Sequence, residues 1–187
     1  MTSIETQSSV VPAPGAYTVD SSHSSVTFSA RHLMVSKVRG RLAVTGGAIV
    51  IGDQPEVSSV EATIDAASVE SGDPKRDEHL RSADFFDAEK YPEISFRSLR
   101  VEDKGDGEFT LVGDLTVRNV TKPVELDGEY LGTSQTPWGD TRIGFTAETE
   151  VNRKDWGLEW NMALETGGVL VGEKVKLTID VEAIRQQ

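Results

Sequence analysis

Apolar and polar residues alternate along most of this chain, and this period of two constrains the fold more than any other feature. Successive side chains of a β-strand point to opposite faces, so the pattern predicts strands with one buried face. One clear run alternates small or polar residues with Ile143, Phe145, Ala147, Thr149 and Val151. About eight or nine such runs follow one another at turn-spaced intervals, which predicts an all-β sandwich or a closed barrel.

One central stretch, residues 73–92, lacks the period of two. Asp73 is suited to cap a helix that has Pro74 at its first position, and Ser82 is suited to cap a second short turn before Pro92. We therefore expect one or two short helices here. They would cover one end or flank of the sheet, with four apolar residues packed as a lid: Leu80, Phe85, Phe86 and Tyr91. An irregular connection whose aromatic residues plug a core fits the same sequence.

The charge balance excludes several classes of partner. The chain carries 31 acidic and 19 basic side chains, which gives a formal charge of −12. Such a mean field repels polyanions, so nucleic acid is not expected as a partner. The same balance argues against a polybasic patch that docks on anionic lipids. A hydrophobic content of 37% over 187 residues suits one globular domain.

The sequence also predicts where the folded domain begins and where the protein resides. Residues 1–15 are rich in Ser, Thr, Pro and Glu, so we expect a mobile N-terminal tail followed by one domain over residues 16–187. The first basic residue is Arg31, and no apolar run is long enough to span a bilayer. Cysteine is absent. We therefore expect a cytoplasmic protein without stable membrane insertion.

No residue constellation predicts catalysis or metal binding. His23, His32 and His79 lie far apart and have no ligand spacing. Separate satisfaction of each histidine by a neighbour is the simpler interpretation. The Arg76–His79 cluster fits a salt-bridged helix face better than an acid–base pair. We therefore expect no catalytic residues, no metal site and no cofactor.

His32 has one further interpretation. It lies two and four positions after Ala30 and Phe28, so all three share the apolar face of a predicted strand, which we call inward parity. An imidazole buried on such a face needs a hydrogen-bond partner. It is either a core histidine bonded to a neighbour or a polar handle that orients a ligand in an apolar pocket.

Several blocks of the sequence resemble the YceI-like family. The most specific block is Arg76–Asp87, followed by Tyr91–Pro92 and Ser95–Phe96. The resemblance extends over roughly residues 15–183. The other blocks that carry it are Tyr17–Asp20, His23–Ser24, Val26–Phe28, His32, Gly113–Thr116, Asn119–Val124, Asn152–Gly157 and Val171–Val175.

The resemblance implies a single antiparallel, lipocalin-like β-barrel that holds a polyisoprenoid or a similar amphiphile. It implies no catalytic residue set. Many members of the family have a secretory signal that this chain does not show, so their location does not transfer. The family often has Asn-Gly-Val-Thr where this chain has Arg118–Thr121, a difference that alters a turn more than a pocket.

We therefore expect a binding protein and not an enzyme. It would sequester or transport a long-chain isoprenoid lipid, of the quinone or polyprenyl-phosphate type, inside a barrel of about eight strands. Two rivals stay open, an enzyme acting on a lipid or small apolar substrate and a stress-related interaction protein with a filled barrel. A homodimer is also left open. By inward parity and aromatic character, the expected ligand contacts are Phe28, Ala30, His32, Phe85, Phe86, Phe96 and Phe145.

Overall fold

The computed structural model describes residues 10–187 and contains nine β-strands and one α-helix within that range. The helix, α1, spans Pro74–Arg81. The strands are β1 Gly15–Val19, β2 Ser25–His32, β3 Ser36–Ile51, β4 Ser59–Asp65, β5 Glu93–Gly105, β6 Glu108–Val117, β7 Val120–Gln135, β8 Thr141–Asn152 and β9 Val171–Arg185.

The strands form a closed antiparallel barrel with eight strand positions. Each strand from β2 to β9 pairs with the next one along the chain, and β9 pairs with β2 to close the ring. The short strand β1 continues the line of β2, since both pair with β3 on one side and β9 on the other. The all-β barrel of about eight strands predicted from the sequence is therefore confirmed.

The two ends of the barrel differ in construction. One end, which we call the mouth end, carries the β3–β4, β5–β6 and β7–β8 connections, residues 52–58, 106–107 and 136–140. The other, which we call the helix end, carries the tight β2–β3 and β6–β7 turns and two long connections, residues 66–92 and 153–170. Side chains of one parity fill the space between them, as the alternation predicts.

The central stretch forms one helix and not two. The Asp73 carboxylate accepts hydrogen bonds from the backbone N–H groups of Lys75 and Arg76, and Pro74 begins α1, as the sequence predicts. Ser82 ends this helix, since its hydroxyl donates to the carbonyl of His79. It also caps the short turn that follows, as the sequence predicts, because its hydroxyl accepts a hydrogen bond from the N–H of Asp84 and its carbonyl accepts one from the N–H of Phe85. Within residues 10–187, no helix has the length and apolar character needed to cross a membrane.

The predicted N-terminal tail overlaps the first strand by one residue. β1 begins at Gly15, and the five residues before it lie against the barrel. The carbonyl of Ala13 accepts a hydrogen bond from the Tyr17 hydroxyl, and that of Pro14 accepts one from Arg185. The remainder of the predicted tail, residues 1–9, lies outside the described residues.

Candidate functional site

The barrel encloses an apolar cavity of ≈260 Å³ that extends from the mouth end into the interior. Every barrel strand contributes to its wall, because each presents alternate side chains inward. The lining is mainly aliphatic and aromatic. Its members include Val26, Val44, Ile49, Val60, Ile64, Phe96, Phe109, Leu126, Tyr130, Phe145, Ala147 and Ile179.

Two aromatic rings leave the lumen open because each lies flat over a glycine. A Cβ atom on Gly128 would lie 2.3 Å from the ring of Phe109, and one on Gly113 would lie 2.4 Å from the ring of Phe96. Only glycine permits such close approach to the strand backbone. Phe145 completes an aromatic wall, with its ring centroid 5.9 Å from that of Phe109 and 5.5 Å from that of Tyr130.

Aromatic residues close the helix end of the barrel beneath the cavity. Phe85 and Trp156 are buried, and the Trp156 indole donates a hydrogen bond of 2.9 Å to the carbonyl of Leu115. The buried Arg153 guanidinium joins the 153–170 connection to the start of β9, because it donates to the carbonyls of Leu158 and Gly172. Burial lowers the pKa of Arg153 from its ordinary value. Phe85, Arg153 and Trp156 thus form a packed layer that closes the helix end of the barrel, and we call this layer the floor.

A second arginine, Arg118, connects the floor to the barrel wall by hydrogen bonds. Arg118 has a φ of +50°, in the two-residue turn between β6 and β7. Its guanidinium donates to the carbonyls of Ala83, Phe85 and Gly157. Arg118 therefore contacts both long connections at this end.

The mouth of the cavity has acidic groups at its rim. Asp53 lies in the β3–β4 connection, and Asp103 and Glu108 flank the β5–β6 turn. No lysine, arginine or histidine lines the cavity among residues 10–187. Val10–Pro14 runs past this rim, and Val10 and Val11 contribute to the lining. The opening is therefore apolar inside and negatively charged at its edge.

Two of the seven predicted contact residues line the cavity, Phe96 and Phe145. Phe28, Ala30 and His32 have the expected inward parity, but they lie toward the helix end and outside the cavity lining. The Phe28 ring packs over Gly40. Within the described residues, the His32 ring makes no hydrogen bond.

The remaining two predicted contacts, Phe85 and Phe86, belong to the lid segment and not to the cavity lining. Phe85 is buried in the floor, while Phe86 is half-buried and packs against the core. The lining residues that the sequence interpretation missed are chiefly aliphatic, such as Val44, Ile49 and Leu126. The alternation of the sequence placed these residues on the inward face as well. They differ from Phe28 and Ala30 in lying in the halves of the strands nearer the mouth end.

A charged cluster on the barrel wall holds the only group of three potential metal ligands found among residues 10–187. Asp20, His23 and Glu182 lie together, and the Arg142 guanidinium binds both carboxylates. Hydrogen bonds from Ser22, then His23 and Arg142, hold the pKa of Asp20 well below its usual range, although burial opposes them. The two carboxylates raise the pKa of Arg142. Arg142 thus supplies the positive charge that a metal ion would bring.

The polar residues of α1 have structural partners. Arg76 donates to the hydroxyl and carbonyl of Ser71, and the buried Asp77 accepts from the backbone and hydroxyl of the same serine. His79 binds Asp84 at 2.8 Å and packs edge-on against the ring of Trp160. These contacts anchor the helix through Arg76, Asp77 and His79.

Comparison with known proteins agrees with this architecture. The YceI-like domain family matches residues 17–183. The chain belongs to the YceI-like family. A UPF0312 protein from Vibrio cholerae is 39% identical over 147 residues, 76% of this chain and 77% of the relative. A UPF0312 protein from Shewanella baltica is 35% identical over 173 residues, 91% of this chain and 87% of the relative.

Solved structures share the same barrel. The YceI protein of Campylobacter jejuni has 30% sequence identity and a TM-score of 0.67, with 84% of this chain and 90% of that chain covered. A polyisoprenoid binding domain from Saccharophagus degradans has 15% identity and a TM-score of 0.63, with 93% and 100% covered. The latter likeness concerns the fold alone. The YceI-like barrel is thus the scaffold that surrounds the cavity described above.

Proposed function

We propose that this YceI-like protein binds one long isoprenoid lipid in the barrel cavity and carries it through water. The observation that supports this function most directly is the apolar cavity of ≈260 Å³, open at the mouth end and closed by a packed floor. A blind apolar tunnel suits a slender chain that enters tail first. The solved polyisoprenoid binding domain of the same fold lends further support.

The rim favours an uncharged head group over a phosphate. Asp53, Asp103 and Glu108 lie where the head of a tail-first ligand would rest, and no basic side chain of residues 10–187 lines the cavity. Lys104 lies within the β5–β6 hairpin but pairs with Asp127 at 3.2 Å. A phosphate head would face three carboxylates without a compensating cation. Of the two lipid types named from the sequence, we therefore propose the quinone type.

The energetics favour exchange over irreversible capture. Each chain carbon transferred from water to an apolar site contributes about 0.8 kcal/mol. The alternative home of such a lipid is a bilayer, however, where its tail is already in hydrocarbon. The net preference for the barrel is therefore small, which suits a carrier that loads and unloads.

Native mass spectrometry of the protein purified from its own cells, followed by lipid extraction, tests this function. We expect one bound isoprenoid per chain, without phosphorus. An empty protein would contradict the binding function and favour the filled-barrel rival. A phosphorylated isoprenoid would contradict the head-group assignment but leave the binding function standing.

The head-group assignment has a direct variant test. In the Asp103→Asn, Glu108→Gln double variant, we expect a polyprenyl phosphate to bind more tightly, because two negative charges leave the rim. Quinone binding should stay unchanged. The Glu89→Gln variant, which changes an exposed carboxylate in the 66–92 connection at the opposite end of the barrel, serves as the control.

The other parts of the functional assignment rest on the sequence. We propose that the protein is not an enzyme and needs no cofactor besides its lipid, which accords with the structural partners of its histidines His23 and His79. The cytoplasmic location and the homodimer stay predictions.

A further inference from the structure

The turn between β2 and β3 exposes three consecutive aliphatic side chains. Leu33, Met34 and Val35 are 40%, 50% and 84% exposed. Leu33 and Met34 have φ angles of +51° and +63°, a backbone region that non-glycine residues adopt at a cost. Two hydrogen bonds hold the turn, from the N–H of Leu33 to Leu170 and from the N–H of Val35 to His32. We call Leu33–Val35 the apolar tip.

Four cations flank the apolar tip. Arg31 on β2 and Lys37, Arg39 and Arg41 on β3 are exposed and share the outward parity of their strands. Within residues 10–187, none of the four side chains forms a salt bridge. By contrast, two lysines on the adjoining strand β9 form salt bridges: Lys176 pairs with Glu148, and Lys174 pairs with Glu150.

A groove of ≈690 Å³ lies on the barrel wall beside the tip. Its charged lining residues are Lys37, Arg39, Arg41 and Lys176, against one carboxylate, Glu70. The neighbouring connection, residues 161–170, adds the exposed Met162 and one carboxylate, Glu165. Positive charge therefore predominates around an apolar projection, in a protein whose formal charge is −12.

We propose that this surface, the apolar tip together with Arg31, Lys37, Arg39 and Arg41, docks the protein on anionic phospholipid bilayers. The aliphatic side chains enter the interface between head groups and acyl chains, and the cations contact lipid phosphates. A nucleic acid would use the cations but would give the aliphatic tip no apolar environment. Docking at this surface is independent of what the cavity holds.

The formal charge of −12 does not oppose this docking. Charges separated by more than about 10 Å are largely screened at physiological salt, so the bilayer responds to the local surface and not to the molecular total. The composition argued against a polybasic patch because it averages over the whole chain. The folded barrel gathers unpaired cations at the helix end and carboxylates at the rim of the mouth.

The mouth end offers a matched comparison. Trp138, in the β7–β8 connection, is 83% exposed, and an exposed indole is a common interfacial anchor. The same end carries Asp53, Asp103 and Glu108, which an anionic bilayer repels. Docking through the apolar tip would turn the helix end of the barrel toward the bilayer, whereas docking through Trp138 would turn the mouth end toward it. Variants of each end can be compared on the same vesicles.

Vesicle flotation with the full chain tests the docking surface. We expect the protein to bind vesicles of mixed phosphatidylglycerol and phosphatidylcholine, and to bind phosphatidylcholine alone at least tenfold more weakly. Each Lys or Arg near an anionic surface contributes about a fivefold factor. Lys37→Glu with Arg39→Glu should therefore lower vesicle binding by well over tenfold, and Met34→Ser with Val35→Ser should also lower it. Trp138→Ser should leave it unchanged.

Each of the other outcomes overturns the proposal. If the protein does not bind the mixed vesicles, the proposal is wrong. It is also wrong if vesicles of phosphatidylcholine alone bind the protein as tightly as the mixed vesicles do. Loss of binding in Trp138→Ser with retention in both tip variants assigns docking to the mouth end. Binding of an RNA oligonucleotide that needs Lys37 and Arg39, without vesicle binding, would assign the cations to nucleic acid. All the substituted residues are exposed, so each variant should fold, and circular dichroism of each variant tests this.

Discussion

At the scale of single residues, the volume of the cavity depends on small side chains at inward positions. Ala62 and Ala147 line the cavity, where larger residues of the same parity would fill it. Ala147 lies between Gly128 on β7 and Ile179 on β9. A bulky side chain at this position projects into the space that we assign to the lipid.

We expect Ala147→Trp to fold and to copurify without lipid. The cost in stability should stay within the ~1–3 kcal/mol usual for overpacking, because the indole enters open space. Circular dichroism and mass spectrometry of the purified variant measure the two effects. Ala30→Trp is the control, since Ala30 has inward parity but lies outside the lining. Lipid retained by Ala147→Trp would show that the ligand does not occupy this cavity.

The charged cluster around Asp20 predicts a specific dependence of stability on pH. Hydrogen bonds from Ser22, His23 and Arg142 hold the folded-state pKa of Asp20 below its unfolded-state value of about 4. The stabilisation is therefore fully present above about pH 4 and is lost as the pH falls toward the folded-state pKa. Between about pH 6 and about pH 3, the Tm of Asp20→Asn should fall less than that of the wild type. Parallel Tm curves would show that Asp20 does not carry this dependence.

The sequence predicted the face of each residue but not its height along the barrel axis. Phe28 and Phe96 have the same inward parity, yet only Phe96 lines the cavity. Parity follows from the strand alone, whereas height depends on which end of the barrel is filled. The floor that fills the helix end comes from the 66–92 and 153–170 connections, whose packing against the strands no local pattern encodes.

At the scale of elements, the segment that follows α1 acts as a structural closure. The predicted lid residues do not have equal burial, since Phe85 is 6% exposed and Phe86 is half-buried. Phe85 contacts the rings of His79 and Trp160, with centroids 5.1 and 5.6 Å away. The segment thus supports the barrel from below and does not contribute to the cavity lining.

Substitutions of the two phenylalanines in this segment should lower the stability of the protein by different amounts. Phe85→Ala should cost ~3–5 kcal/mol of unfolding free energy, as removal of a buried aromatic ring does, and Phe86→Ala should cost less. Urea unfolding measures both values. Leu99→Ala, at an exposed position on β5, is the control and should stay within about 0.5 kcal/mol. A larger loss at Phe86 would mean that Phe86 and not Phe85 seals the floor.

The elements themselves were predictable to different degrees. Alternation predicted the strands, and the Asp73–Pro74 pair predicted the start of α1, because both signals are local. Ser82 caps a short turn as predicted, but this turn does not extend into a second helix, and the same hydroxyl also donates to a carbonyl at the end of α1. The role of β1 as a continuation of β2 depends on pairing with β3 and β9, far away in the sequence.

At the scale of the whole molecule, a ligand that occupies the cavity adds to the stability of the folded state alone. A ligand present at 100 times its Kd contributes about 2.7 kcal/mol. We therefore expect extraction of the lipid to lower the Tm by about 5–10 °C for a chain of this size. Calorimetry before and after extraction measures the change. Ala147→Trp should show no difference, and an unchanged wild-type Tm would speak against a resident ligand.

The pairing of β9 also determines when this protein can fold during its synthesis. β9 forms ladders with β8, β2 and β1, so the ring stays open until the last strand is available. While a ribosome adds about 5–20 residues per second, the earlier strands form at most an open sheet with an apolar face and two free edges. Closure joins residues that are more than a hundred and fifty positions apart, for example Val26 and Ile179. The nascent chain is therefore exposed to aggregation until β9 has emerged from the ribosome, and truncations that remove β9 should yield insoluble protein.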